Sequence, residues 1–98
     1  MPITIETQGN IVVMQIVGVF NYLLHNDFMR SIREAQKNAT YVVNLMHTEH
    51  IDSAGLGMLL MMREMVGGDA ARISLVNPNQ KVRGILFMSQ FQELFQIT

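Results

Sequence analysis

The chain has 98 residues, 49% of them hydrophobic, with a formal net charge of −1, a pI near 6.2 and no cysteine. This size and composition suit one compact domain over residues 1–98, and the lack of thiols excludes disulfides, metal thiolates and cysteine nucleophiles. The seven Lys and Arg are scattered singly, so there is no basic field to hold nucleic acid.

In chain order, residues 3–7 alternate apolar and polar, Gln8-Gly9-Asn10 suits a turn, and residues 11–17 are rich in β-branched side chains, which predicts a β-hairpin. No basic start followed by a long apolar stretch opens the chain, so no signal peptide is expected. Gly18 is expected to end the second strand. Leu24, Phe28, Ile32 and Ala35 recur at helical spacing while Arg30, Arg33, Glu34 and Lys37 take other directions, predicting a helix over 24–37 with Asn38 at its C-terminus. Residues 41–46 read as a buried strand. A second helix over 53–66 closes at Gly67-Gly68, then come a strand over 72–76, a turn at Asn77-Pro78 and a third helix over 80–88. Ser89 is expected to cap a last short helix over 90–95, with Phe87, Phe91 and Phe95 pressed against the core. The order β, β, α, β, α, β, α, α predicts an α/β architecture with an opening antiparallel hairpin followed by parallel strands joined by helical crossovers. The longest apolar run, residues 58–62, is too short to span a bilayer, so a cytoplasmic protein with no direct membrane span is expected.

Asp52-Ser53-Ala54-Gly55-Leu56-Gly57 joins a strand-like run to a helix-like run, which puts the Ser53 hydroxyl where a strand turns into a helix. A free hydroxyl there can cap the helix by accepting a hydrogen bond from an unpaired backbone N–H. A phosphate there meets the same donors and the positive end of the helix dipole, and brings roughly two negative charges beside Asp52. Ser53 is therefore the best candidate for a switch, and Asp52 a helix-start residue that complements the dipole.

Projected at helical pitch, residues 55–66 gather Gly55, Met58, Leu59, Met62, Met65 and Val66 as the core stripe and set Gly57, Leu60, Met61 and Glu64 opposite. Arg63 and Glu64 are the only charges in this helix. A water-facing side so poor in polarity has the character of a docking surface, and methionine suits one because its flexible side chain repacks against a partner. The same pattern also fits a helix buried on both sides by the chain itself or by a second copy. The expected partner-binding set is Asp52, Ser53, Ala54, Gly55, Gly57, Leu60, Met61 and Glu64.

His47-Thr48-Glu49-His50, with Asp52 nearby, offers metal-ligating atoms, but it reads as a loop rather than the helix that sets two histidines on one face, so no metal site is expected. His25 reads as a surface or capping residue. A Ser–His–Asp hydrolase built from Ser53, His47 or His50, and Asp52 has nothing to aim an imidazole at the hydroxyl, and no phosphate-cradling glycine loop occurs. No catalytic residue, cofactor or enzyme activity is expected.

Asn44-Leu45-Met46, leading through Ile51 to Asp52-Ser53-Ala54-Gly55-Leu56-Gly57-Met58-Leu59, together with Gly18, Asn77-Pro78 and the Phe91, Leu94, Phe95 segment, resembles a STAS domain, the module of sulfate transporters and anti-sigma factor antagonists. The resemblance covers essentially the whole chain and is particularly similar to single-domain regulators of Gram-negative partner-switching systems. It implies a STAS fold: a four- to five-stranded mixed β-sheet with an N-terminal antiparallel hairpin and about four helices mainly on one face. It further implies an anti-sigma factor antagonist that binds an anti-sigma factor/serine-protein kinase while unphosphorylated. On that resemblance, phosphorylation of Ser53 is expected to release the partner and a serine phosphatase to restore binding; a monomer is expected for the free protein, although the apolar patch can serve a homodimer as well. Ala54 stands where many members carry Ser or Thr, which leaves Ser53 as the only hydroxyl of the motif. The alternative is a non-switching STAS interaction subunit of a transport or signalling complex.

Overall fold

Alternation along the first two strands sorts side chains into a dry set and a wet set. In the computed structural model, which describes residues 2–98, β1 (Ile3–Gln8) and β2 (Ile11–Ile16) form the expected antiparallel hairpin, with Ile3 opposite Ile16 and Gln8 opposite Ile11. β2 pairs in parallel with β4 (Thr40–Asn44), β4 with β6 (Ile73–Val76), and β6 with β7 (Gln96–Ile97). The result is a five-stranded mixed sheet ordered β1-β2-β4-β6-β7. Three helices occupy the connections: α1 (His25–Glu34), α2 (Ser53–Met65) and α3 (Gln80–Met88).

Val12, Met14 and Ile16 of β2, Tyr41 and Val43 of β4, and Ile73 and Leu75 of β6 are buried in one cluster with Phe28 and Ile32 of α1, Met58, Leu59 and Met62 of α2, and Val82 and Leu86 of α3. The intervening strand residues Val13, Gln15, Val42, Asn44, Ser74 and Val76 are only half-buried. The helices therefore cover one face of the sheet and leave the other open. Fully burying an aliphatic or aromatic side chain is worth about 1.5–3 kcal/mol, so a one-residue slip that turned such a set outward is strongly disfavoured.

Gly18 does not end the second strand. It opens β3 (Gly18–Phe20) at φ +92°, a conformation glycine adopts without penalty, and β3 pairs in parallel with β5 (Thr48–Ile51) as a separate two-stranded sheet. The stretch expected as a histidine-bearing loop is thus mostly strand. Its Thr48 is buried and donates its hydroxyl to the Ile16 carbonyl at 2.7 Å, satisfying a polar group that would otherwise be costly inside. α1 is shorter than the expected span of 24–37: a 3-10 turn over Tyr22–Leu24 precedes it, and the backbone becomes extended at Ala35. Just beyond, the Tyr41 hydroxyl donates to the Gln36 carbonyl at 2.6 Å, and Asn38 takes its left-handed φ of 56° within the loop rather than at the helix end.

The third helix runs as predicted, but the last does not. Phe91–Glu93 is a 3-10 turn, Ser89 is the C-terminal cap of α3 rather than an N-cap, and the chain continues into β7 at the sheet edge. Phe91 and Phe95 are buried and stacked, ring centroids 5.3 Å apart, whereas Phe87 is half-buried beneath Arg83. Among the described residues, no helix is long and apolar enough to cross a membrane.

Candidate functional site

β5 delivers the chain into α2 through Asp52, whose backbone is extended (φ −111°, ψ −173°) while Ser53 is already helical. The Asp52 carboxylate accepts from the Gly55 N–H at 3.1 Å, and its carbonyl accepts from the Leu56 N–H at 3.0 Å. Asp52 is therefore the N-cap, which corrects the expectation that the Ser53 hydroxyl caps the helix. Capping requires the non-helical residue just ahead of the first turn, and Ser53 lies one position too late. Its side chain is exposed and relieved of that duty.

The junction is clamped from below. A Cβ on Gly55 would fall 2.5 Å from the Phe20 carbonyl oxygen and 2.7 Å from Ile51 Cγ1, so only glycine lets α2 start this close to β3. The Asp52 N–H donates to the same Phe20 oxygen at 3.4 Å, and the Gly18 N–H donates to the His47 carbonyl at 2.9 Å. Asn79 ties in α3: its Oδ1 caps that helix at the Val82 N–H, 2.7 Å away, while its Nδ2 donates to the carbonyls of Thr48 and Glu49 at 3.2 and 3.3 Å. Ser53 is thus carried on a strand-to-helix corner braced by β3 and by the start of α3.

Along α2, Ser53, Gly57, Leu60 and Glu64 follow one another at three- and four-residue steps and form a single outward line. Leu60 is 39% exposed and Met61, beside the line, 47%. Gly55 is buried and belongs to the clamp, so of the expected partner-binding residues it alone is sealed from the outer surface; Asp52, Ala54 and Gly57 are partly exposed and Glu64 fully so. Met65, expected in the core stripe, is 42% exposed, because the helix ends there and the chain turns off at Val66, which packs on the core in its stead. Arg63 donates to Asp69 Oδ1 at 3.1 Å and to the Leu94 carbonyl at 3.4 Å, and also lies 3.7 Å from Glu64 Oε2 at the end of the line. β3, β5 and residues 53–62 carry no Lys or Arg; the charges that precede the serine, Glu49 and Asp52, are both acidic, and Glu64 lies at the far end of α2.

Sequence reasoning missed a second group of apolar side chains beside this corner. Val19, Tyr22 and Leu23 are 45, 70 and 71% exposed. The turn bearing Tyr22 and Leu23 follows directly on Phe20, which the Asp52 N–H engages, and is held by Asn21, whose Oδ1 accepts from the Leu23 N–H at 3.0 Å. A Tyr-Leu pair between a strand and a helix is the signal that the sequence offers for it. The histidines are dispersed: His25 and His47 are exposed, and the Nδ1 of half-buried His50 is sealed without a hydrogen-bond partner, so it does not engage the serine. Among the described residues, no group of three or more His, Cys, Asp or Glu could hold a metal ion.

The family model of the STAS domain matches residues 2–98. The chain belongs to the STAS-domain family. It is 42% identical over 94 residues, 95% of its own length and 93% of the other's, to a STAS-domain containing protein of Pseudomonas aeruginosa. Among solved structures, it superposes with a TM-score of 0.82 and 18% identity on a Thermotoga maritima protein assigned as an anti-sigma factor antagonist, covering 97% of this chain and 84% of that one. The anti-sigma factor antagonist SpoIIAA in its unphosphorylated form gives a TM-score of 0.79 at 20% identity, covering 98% and 87%. Bacillus SpoIIAA in its phosphorylated form gives 0.67 at 19%, covering 98% and 90%. At these identities the structural likeness is one of fold: the STAS sheet, its opening hairpin and its helices.

Proposed function

We propose that residues 1–98 act as one STAS domain and a non-enzymatic, phosphorylation-controlled binding switch, an anti-sigma factor antagonist of the cytoplasm. Unphosphorylated, it binds an anti-sigma factor/serine-protein kinase through Asp52, Ser53, Ala54 and the outer line of α2. Phosphorylation of Ser53 releases that partner, and a serine phosphatase restores binding. The observation that carries this reading is the exposed Ser53, free of capping, at the head of the line Ser53, Gly57, Leu60.

Because Asp52 already caps α2, a phosphate on Ser53 displaces no structural hydrogen bond of its own hydroxyl, and the helix dipole favours it locally. Within an apolar interface the same phosphate loses hydration, and the preceding Glu49 and Asp52 offer it no cation. That penalty is on the order of several kcal/mol, or orders of magnitude in affinity. The likeness to SpoIIAA, solved in both phosphorylated and unphosphorylated forms, supports a switch of this kind.

Incubation with ATP and candidate serine kinases, followed by mass spectrometry, is expected to place phosphate on Ser53. Toward the kinase so identified, Ser53→Ala is expected to bind constitutively and Ser53→Asp at least about a hundredfold more weakly. Equal affinity of the two variants would remove the switch and leave a fixed interaction subunit.

A further inference from the structure

α2 and α3 each contain a glycine that their own packing does not require. A Cβ on Gly57 or on Gly84 would meet nothing within 4 Å, although glycine inside a helix is destabilising relative to alanine. Each glycine opens the same pattern, Gly57-Met58-Leu59-Leu60-Met61 and Gly84-Ile85-Leu86-Phe87-Met88. In both, the middle leucine is fully buried and the residue before it turns inward. The last two point outward, with Leu60 39%, Met61 47% and Met88 85% exposed and Phe87 half-buried. The two outer faces thus share one relief: a glycine notch followed, one turn later, by two apolar ridges.

Their charges are opposite. Two turns beyond the notch of α2 stands Glu64, with 75% of its side chain exposed; Arg63, 3.7 Å from it and only 16% exposed, is shared with exposed Asp69 at 3.1 Å, which leaves acidic charge in excess at this end of the helix. α3 has no acidic residue; its outer face carries Lys81 and Arg83, neither of which forms an ion pair among the described residues, and the Arg83 guanidinium lies 4.7 Å from the Phe87 ring centroid.

We propose that the outer face of α3 is a docking surface whose occupant is the outer face of α2 in a second copy of the chain. The ridges Leu60 and Met61 fill the notch at Gly84, Phe87 and Met88 fill the notch at Gly57, and Glu64 meets Lys81 and Arg83. Such a contact joins unlike faces, so it propagates head to tail instead of closing as a symmetric pair. One helix on one helix is a small interface, and the association is weak, with the monomer dominant at low concentration. It covers the same face of α2 that the kinase is proposed to use, so self-association and kinase binding exclude each other. It does not require Ser53 to be modified.

Sedimentation of the unphosphorylated chain over about 10 µM to 1 mM is expected to show an average mass rising above that of the monomer. Arg83→Glu and Glu64→Arg, both at exposed side chains with melting curves as controls, are each expected to weaken association at least about tenfold. An equimolar mixture of the two is expected to recover it, because every junction again pairs opposite charges. Gly84→Gln fills the notch and improves helix propensity, so association falls while the melting temperature rises. A monomer throughout the range, association unaffected by Arg83→Glu, or a mixture that stays monomeric overturns the proposal. These measurements need no kinase, so they fail or succeed independently of the Ser53 switch.

Discussion

α1 and α2 lie in contact over the same face of the sheet, yet only α1 has an outer surface made for water. α1 buries Phe28, Met29 and Ile32 and exposes Asn26, Arg30, Arg33 and Glu34, with an ion pair between Arg30 and Asp27 at 2.9 Å. α2 buries Gly55, Met58, Leu59 and Met62 and exposes Leu60, Met61 and Met65. The inner faces answer the same demand, to fill the space above the strands. The fold makes no demand on the outer faces, so α1 shows the ordinary polar outcome, and the apolar outside of α2 points to a requirement from beyond the chain.

The largest expected effect separates the two sides of α2 itself. Gly55→Ala pushes a methyl group into the Phe20 carbonyl and Ile51, and is expected to lower stability by about 3 kcal/mol in urea unfolding. An unchanged midpoint would show that the strand-to-helix corner yields easily and is no clamp. Next, Leu60→Lys or Met61→Lys should weaken binding of the phosphorylating kinase by about 2 kcal/mol while shifting unfolding by no more than about 0.5 kcal/mol. Arg33→Ala on α1, as the matched control, should move neither. A collapse of thermal unfolding in the lysine variants would mean that the outer face of α2 is core after all.

Removal of the Asp52 cap by Asp52→Ala should cost about 1 kcal/mol, with Ser53→Ala costing only a few tenths; the reverse ranking would return the capping role to the serine. The smallest effect is a gain. Gly57→Ala should stabilise the fold by about 0.5–1 kcal/mol, since its methyl group has open space, and should weaken kinase docking if the glycine is there to admit a partner. Stability without loss of binding would leave Gly57 unexplained.

Periodicity was enough for the hairpin, the three long helices and the core strands, because the positions of Phe28 and Ile32, or of Val12, Met14 and Ile16, follow from the geometry of a single element. β3, β5 and β7, of three, four and two residues, escaped because so short a segment has no measurable period. Thr48-Glu49-His50 forms a strand only because Gly18 to Phe20 lies alongside it. Of the site, the corner at Ser53 and the apolar line of Leu60 and Met61 were legible. The burial of Gly55 and the neighbouring Tyr22 and Leu23 were not.

Local chemistry, carried by each residue and its neighbours within one or two turns, settled where strand passes into helix at Ser53 and that Leu60 and Met61 of α2 face outward, though not Met65. Contacts between distant segments settled the rest. The Phe20 carbonyl holds the start of α2 and makes Gly55 part of the scaffold, and the pairing of β3 with β5 sets the angle at which Asp52 enters the helix as its cap. Intrinsic propensity and periodicity act along the chain, whereas close approach and hydrogen bonding across it depend on which segments the fold brings together.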